Sequence, residues 1–275
     1  MKMETKFEMG RGSGVEQLDL FGDPITIKYE LSVIPVSVID LTPQKVRERG
    51  EHDSKSSRQG YSPFSAQIAS LCFEFFMRDA SLVFDPFAGW GERGAAAKVY
   101  GRQYIGYDLS LDAIAEAKRK GVTNIHADSC TADIPSHDGL VTCPPYWNLE
   151  IYNGCGIDKA KSWEEFKECY RLILSRCWDQ AKSGSIYCII VGEWRKAHKY
   201  YDLEGVTRRV MGELGAEMVD QVIVSRKNIS KIKVMLPQAK RLGYTVRVHE
   251  SLLVFRKPLY DELMEQCGRE DDAEE

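Results

Sequence analysis

No stretch of the 275-residue chain runs for about 18 apolar residues, so no membrane-spanning helix is expected. Met1 to Leu20 are polar and hold no apolar core of the kind a secretory signal needs, so no such signal is expected either. None of the eight cysteines pairs as C-x-x-C, and the five histidines form no cluster. Both absences argue against zinc, and no metal is expected. Cys72, Cys169, Cys177 and Cys188 fall within apolar patterns and read as small core hydrophobes, which fits a reducing, cytoplasmic setting. Internal repeats are lacking, and the one biased tract is the acidic end Arg269–Glu275.

The chain is long enough for one large α/β domain with extensions. Its net charge of −4 hides an asymmetry. From Ser225 to Lys257 nine basic residues face a single acid, Glu250. That segment reads either as a solvated basic surface or as a footprint for a polyanion.

Residues 1–61 read as an N-terminal extension and polar loop, with β-branched residues over 25–40 that suit a strand or two. Ser62-Pro63 supplies a helix start. An alternation then sets the fold class. Strands are expected at Ser81–Phe84, Gln103–Tyr107, Thr123–His126, Gly139–Thr142, Ser185–Val191, Glu217–Val224 and Ser251–Phe255. Helices are expected over about 92–100, at Ser110–Lys120, from the Ser162/Glu165 capping box onward, and near 202–213. The pattern implies a Rossmann-like α/β domain over 62–258, a mostly parallel seven-stranded sheet with helices on both faces. Residues 259–275 form an acidic tail expected to be disordered.

The first of these strands runs into Asp85-Pro86-Phe87-Ala88-Gly89-Trp90-Gly91-Glu92-Arg93-Gly94. Glycines at 89, 91 and 94 have the G-x-G-x-x-G spacing between strand and helix, which permits a tight turn and lets a ligand lie against bare backbone. The spacing alone also fits a dinucleotide. Asp85 shifts the choice, since a carboxylate repels a pyrophosphate and suits a ligand bearing an ammonium group, such as S-adenosyl-L-methionine. Asp108 ends the second strand and Asp128 follows the third. They are placed for ribose hydroxyls and for an adenine amino group, because ligands of such sheets bind at the strands' carboxyl ends.

The fourth strand leads into Cys143-Pro144-Pro145-Tyr146. Two successive prolines have fixed φ and no backbone N–H, so they make a rigid extended loop that offers carbonyl acceptors beside an aromatic face. Such a site suits a planar ring that bears an amino group.

With Asp85-Pro86-Phe87-Ala88-Gly89-Trp90-Gly91 upstream and Thr142 to Trp147 downstream, the chain resembles the amino-methyltransferases that modify adenine N6 or cytosine N4 in DNA. It is most similar to the DNA methylases of phages and prophages, which share Cys143-Pro-Pro-Tyr and the following Leu149-Glu150-Ile151-Tyr152. The likeness takes in Ser62-Pro63-Phe64, Val191–Arg195 and His249–Phe255, and covers roughly residues 60–257.

The resemblance implies S-adenosyl-L-methionine as cofactor, held by Asp85, Pro86, Phe87, Ala88, Gly89, Gly91, Gly94, Asp108 and Asp128. It implies a flipped-out base whose amino group donates to the side chain at 143 and to the Pro144 carbonyl, with Tyr146 stacked on the ring. Cys143, Pro144, Pro145 and Tyr146 are thus the expected catalytic residues. The family's first motif residue is usually Asp, Asn or Ser; a thiol is a poorer acceptor, which leaves adenine and cytosine both open. A nucleophilic cysteine is not implied, since the sites that use one place proline before it. Trp147 and Tyr152 either line the base pocket or pack the loop.

DNA is the expected partner, with phosphate contacts from Arg226, Lys227, Lys231, Lys233, Lys240 and Arg241, and the bacterial host cytoplasm is the expected location if the protein is phage-encoded. The same chemistry on RNA or on a protein glutamine amide is the alternative, as is a non-catalytic nucleic-acid-binding subunit.

Overall fold

The computed structural model describes residues 36–40, 66–147, 149, 156–196, 198–225 and 229–259. Ser62-Pro63, Tyr152, Arg226, Lys227, the side chain of Lys231 and the acidic tail lie outside the described residues.

The strand expected within 25–40 is β1 (Val38–Asp40). Helix α1 (Ala66–Ser70) runs on as a π-helical turn over Leu71–Phe76. Then follow β2 (Leu82–Asp85), α2 (Glu92–Val99), β3 (Gln103–Asp108), α3 (Leu111–Arg119), β4 (Asn124–His126) and β5 (His137–Thr142). After a 3-10 turn at Ile157–Lys159 come α4 (Trp163–Gln180) and β6 (Ala181–Val191). The chain continues with β7 (Glu193–Lys196), β8 (Lys199–Asp202), α5 (Leu203–Glu213), β9 (Glu217–Ser225), α6 (Ile229–Leu242) and β10 (His249–Arg256). Among the described residues no helix is long and apolar enough to cross a membrane.

Among the described residues the main sheet has eight strands, not seven, in the order β1-β9-β10-β6-β5-β2-β3-β4. The extra strand is β1, which pairs in parallel with β9 at the sheet's edge. Among these described strands only β10 runs antiparallel, between β6 and β9. Two further elements were not expected. β7 and β8 form a separate antiparallel hairpin, and the basic segment folds as helix α6 around an internal Pro237.

Alternate residues of the central strands point to opposite faces, and each face has its own core. Phe84, Leu140, Tyr187, Ile189, Leu253 and Phe255 pack under α4 and α5. Val83, Val141, Cys188, Ile190, Leu252 and Val254 pack under α1 and its π-helical turn. Both faces of the sheet are therefore apolar, as parallel sheets require. The α4 start behaves as its sequence implies: Ser162 Oγ accepts from Glu165 N at 3.1 Å, and Glu165 reaches back to Lys161 N at 2.6 Å.

This order matters for the site. β2 lies between β3 and β5, and from it the chain winds outward through β3 and β4 on one side, then returns to β5 on the other. That reversal is a topological switch point, where adjoining strands leave a crevice at their carboxyl ends. The glycine turn follows β2 and the Pro-Pro-Tyr loop follows β5, so the fold itself brings the two motifs to one crevice.

Candidate active site

A cavity of about 190 Å³ occupies that crevice. Its lining includes Phe87, Gly89, Asp108, Asp128, Pro144 and Tyr146. Pro86, Cys143 and Pro145 border it as well. The strand-end acids and the Pro-Pro-Tyr loop therefore face one space, although Asp108 and Tyr146 stand far apart in sequence.

The β2–α2 turn is shaped by its glycines. Gly89 and Gly91 take left-handed φ of 57° and 85°. A Cβ on Gly91 would meet the Ala117 Cβ at 2.7 Å, so α3 packs directly on the bare backbone. Gly94 is equally tight, because a Cβ there would come within 2.5 Å of Val122. Neither Gly91 nor Gly94 lines the cavity; both let the turn close beneath it. Ala88 likewise sits outside the lining, buried against Gly106.

Asp85 departs from its expected position. It is fully buried below the cavity and does not line it. One carboxylate oxygen accepts from Thr142 Oγ1 at 2.7 Å and from Phe87 N at 3.1 Å. The other accepts from Arg93 Nε at 2.5 Å and from Tyr104 Oη at 2.9 Å. A ligand's ammonium group would have to displace these donors. Asp85 instead fastens β2 to β3, to β5 and to the turn.

The member of this buried ion pair that reaches the cavity is its partner. Arg93 lies in the first turn of α2, lines the cavity, and also donates to the Phe87 carbonyl at 2.5 Å. Burial alone would lower the pKa of this guanidinium, but the adjoining Asp85 carboxylate more than compensates and the value is raised. Arg93 is a fixed cation. Burial, and then Asp85, push the Tyr104 hydroxyl up, so it stays a donor.

Asp108 stands where the β3 reading put it. Its Oδ2 accepts from Gly89 N at 2.7 Å and its Oδ1 from Ser110 N at 2.7 Å. Each ionised carboxylate has about four acceptor positions, so two remain for a ligand in the cavity. Burial raises the Asp108 pKa against the pull of those two N–H groups. Asp128 Oδ1 accepts from Cys130 N at 2.9 Å, while Ser129 ties the segment to the Pro86 carbonyl at 2.8 Å.

On the far side, Tyr146 Oη donates to Glu250 Oε1 at 3.0 Å, and Glu250 also lines the cavity. Gly192 makes room for this pair, since a Cβ there would lie 3.2 Å from Glu250 and 3.3 Å from the tyrosine oxygen. The Tyr146 ring packs on Trp194 of β7, centroids 5.5 Å apart. Trp194 stacks on Tyr201 of β8 at 5.2 Å, and Tyr201 in turn meets Trp147 at 5.3 Å. Trp147 adopts a left-handed φ of 27°, uncommon for a tryptophan, and donates through Nε1 to the Ala160 carbonyl at 2.8 Å. It therefore packs the loop and does not line the cavity.

Arg93 and Glu250 are site residues that the sequence reading did not assign. Glu250 had a usable signal. β10 is antiparallel, so its first residues lie beside the carboxyl ends of the other strands, and an acid there joins the crevice.

Residues 37–119 match a family model described as N6_N4_Mtase: DNA methylase. The matched segment spans less than half of the chain. It includes Asp85, the glycine turn and Asp108, and it ends before Cys143. No curated protein matches the chain in sequence.

Among solved structures, the chain is similar to the [4+2]-cyclase SpnF at 16% identity and a TM-score of 0.50, over 70% of this chain and 82% of that one. It is also similar to TrmN from Thermus thermophilus (14% identity, TM-score 0.49), over 70% of this chain but only 49% of TrmN. The Burkholderia thailandensis 1,6-didemethyltoxoflavin-N1-methyltransferase matches at 19% identity and a TM-score of 0.46, over 70% of this chain and 78% of that one. The likeness to SpnF speaks to the fold alone. A cyclase on this fold illustrates that chemistry must be argued from the site.

Proposed function

We propose that the protein is an S-adenosyl-L-methionine-dependent DNA methyltransferase that modifies the exocyclic amino nitrogen of an extruded adenine (N6) or cytosine (N4). One observation carries this reading: Asp108 and Asp128 line the same cavity as Cys143-Pro144-Pro145-Tyr146.

The residues present fit the cofactor. Asp108 has lone pairs to spare for ribose hydroxyls, and Asp128 stands at the next strand end for the adenine amino group. The bare backbone at Gly89 lets a ligand lie against the turn. Arg93, the fixed cation of the cavity, fits the methionyl carboxylate. Asp85 serves this site by holding Arg93.

Bound S-adenosyl-L-methionine supplies an electrophilic methyl group. The chain's own task is to aim an amino nitrogen at it. In this reading the Pro144 carbonyl and Cys143 Sγ, which border the same cavity, accept the two amino hydrogens. Because the Pro-Pro step is rigid, these acceptors need little reorganisation when the base arrives. Tyr146 stacks on the base with its ring held from behind by Trp194 and its hydroxyl tied to Glu250. Such positioning accounts for several kcal/mol of barrier lowering, within the roughly 7–11 kcal/mol available to well-oriented reactants.

The test is transfer of tritiated methyl groups from S-adenosyl-L-methionine to duplex DNA, with RNA and a glutamine-containing protein in parallel. Label in DNA is expected. Cofactor binding without label in any DNA would refute the proposal.

A further inference from the structure

The β7–β8 hairpin has two faces with different chemistry. Trp194 and Tyr201 are cross-strand partners, and both point inward onto the Tyr146 and Trp147 rings. Arg195 and Tyr200 are the next cross-strand pair, and both are exposed. Their opposition follows from the two-residue period of a strand.

On the outer face the Arg195 guanidinium lies 4.7 Å from the Tyr200 ring centroid and 5.2 Å from that of Tyr244, beyond α6. Arg247 lies 5.1 Å from the same Tyr200 ring, donates to its hydroxyl, and pairs with Glu193 at 2.9 Å. Arg247 thus anchors Tyr200, and Tyr200 with Tyr244 holds Arg195. Among the described residues Arg195 forms no ion pair. Lys196 and Lys199 flank it, both exposed.

A guanidinium held over aromatic rings by cation–π contact leaves N–H groups available for a phosphate's oxygens. The arrangement is also physically coupled to the cavity, because one short hairpin carries the Arg195 stack on one side and the packing of Tyr146 on the other. Resting on the functional reading above, we infer that the outer face of the hairpin, with Arg195 at its centre, grips the phosphodiester backbone of the DNA next to the target base. The occupied stack then sets the distance from backbone to pocket. Contacts of this kind position the duplex without reading its sequence.

The test compares Arg195→Ala, Arg195→Lys and a Lys240→Ala/Arg241→Ala variant of α6 with the parent protein. Affinity for a 20-base-pair duplex is measured over a salt series, alongside affinity for S-adenosyl-L-methionine and thermal unfolding. Arg195→Ala is expected to weaken duplex binding about tenfold and to flatten the salt slope by about one unit, the mark of one lost phosphate contact. Cofactor affinity and unfolding temperature should stay at parent values, and Arg195→Lys should recover only part of the loss. If the parent methylates DNA but Arg195→Ala keeps its affinity and slope while the α6 variant loses both, the inference falls and the functional reading stands. A parent that binds cofactor yet takes RNA or protein in place of DNA overturns both.

Discussion

Asp85 ties four donors, from two neighbouring strands, the glycine turn and α2, to one buried carboxylate. Removing it strands the Arg93 guanidinium in the interior with no counter-charge, which typically costs about 3–5 kcal/mol. Asp85→Ala should therefore unfold in much lower urea than the parent even without cofactor; equal stability would show that the pair is dispensable to the fold. Asp108 has a different part in the proposed function, where it meets the cofactor. In that proposal its ionised form accepts from ribose hydroxyls, and burial raises its pKa from the ordinary aspartate value. Cofactor affinity should consequently fall as pH drops through a window above that of an exposed aspartate. Calorimetric titration across pH would show this dependence in the parent and its loss in Asp108→Asn. The strand-end position of Asp108 was readable from sequence, as was the Pro-Pro-Tyr loop. What Asp85 does was not: a strand-end carboxylate suits a ligand's ammonium group, while the Arg93 that consumes it lies eight residues on across a turn whose closure depends on Gly91 and Gly94.

At the scale of elements, long periodic segments declared themselves and short or interrupted ones did not. α4 repeats its apolar residues over eighteen positions and opens with a capping box, so its place was legible. β1 has three residues and is a strand only because β9 offers it an edge. α6 contains Pro237, which normally argues against a helix interior. The β7–β8 hairpin has charged residues at most outward positions and lacks the Asn-Gly or Gly-rich turn that signals a hairpin in sequence. Yet it is this element that backs Tyr146. Trp194→Ala should cost about 3–5 kcal/mol of stability, in the range of buried aromatic truncations, and should lower kcat more than it weakens cofactor binding. Denaturant titration with single-turnover kinetics would separate the two effects. Unchanged kcat in a folded variant would remove the hairpin from any account of how the loop is held.

For the molecule as a whole, the sheet order is the link between sequence and chemistry. The reversal at β2 and β5 turns two distant motifs into one cavity, and the antiparallel β10 brings Glu250 to the same edge. The family match reaches from β1 to α3 and stops short of the acceptor loop. The cofactor half and the acceptor half of the site therefore rest on different observations, and the central claim joins them. Mass spectrometry of nucleosides tests that claim most directly, using DNA incubated with the purified protein and isotopically methyl-labelled S-adenosyl-L-methionine. The account predicts labelled N6-methyladenine or N4-methylcytosine, abolished by Pro144→Ala/Tyr146→Ala. Label found only at carbon, or in no nucleoside at all, would contradict it.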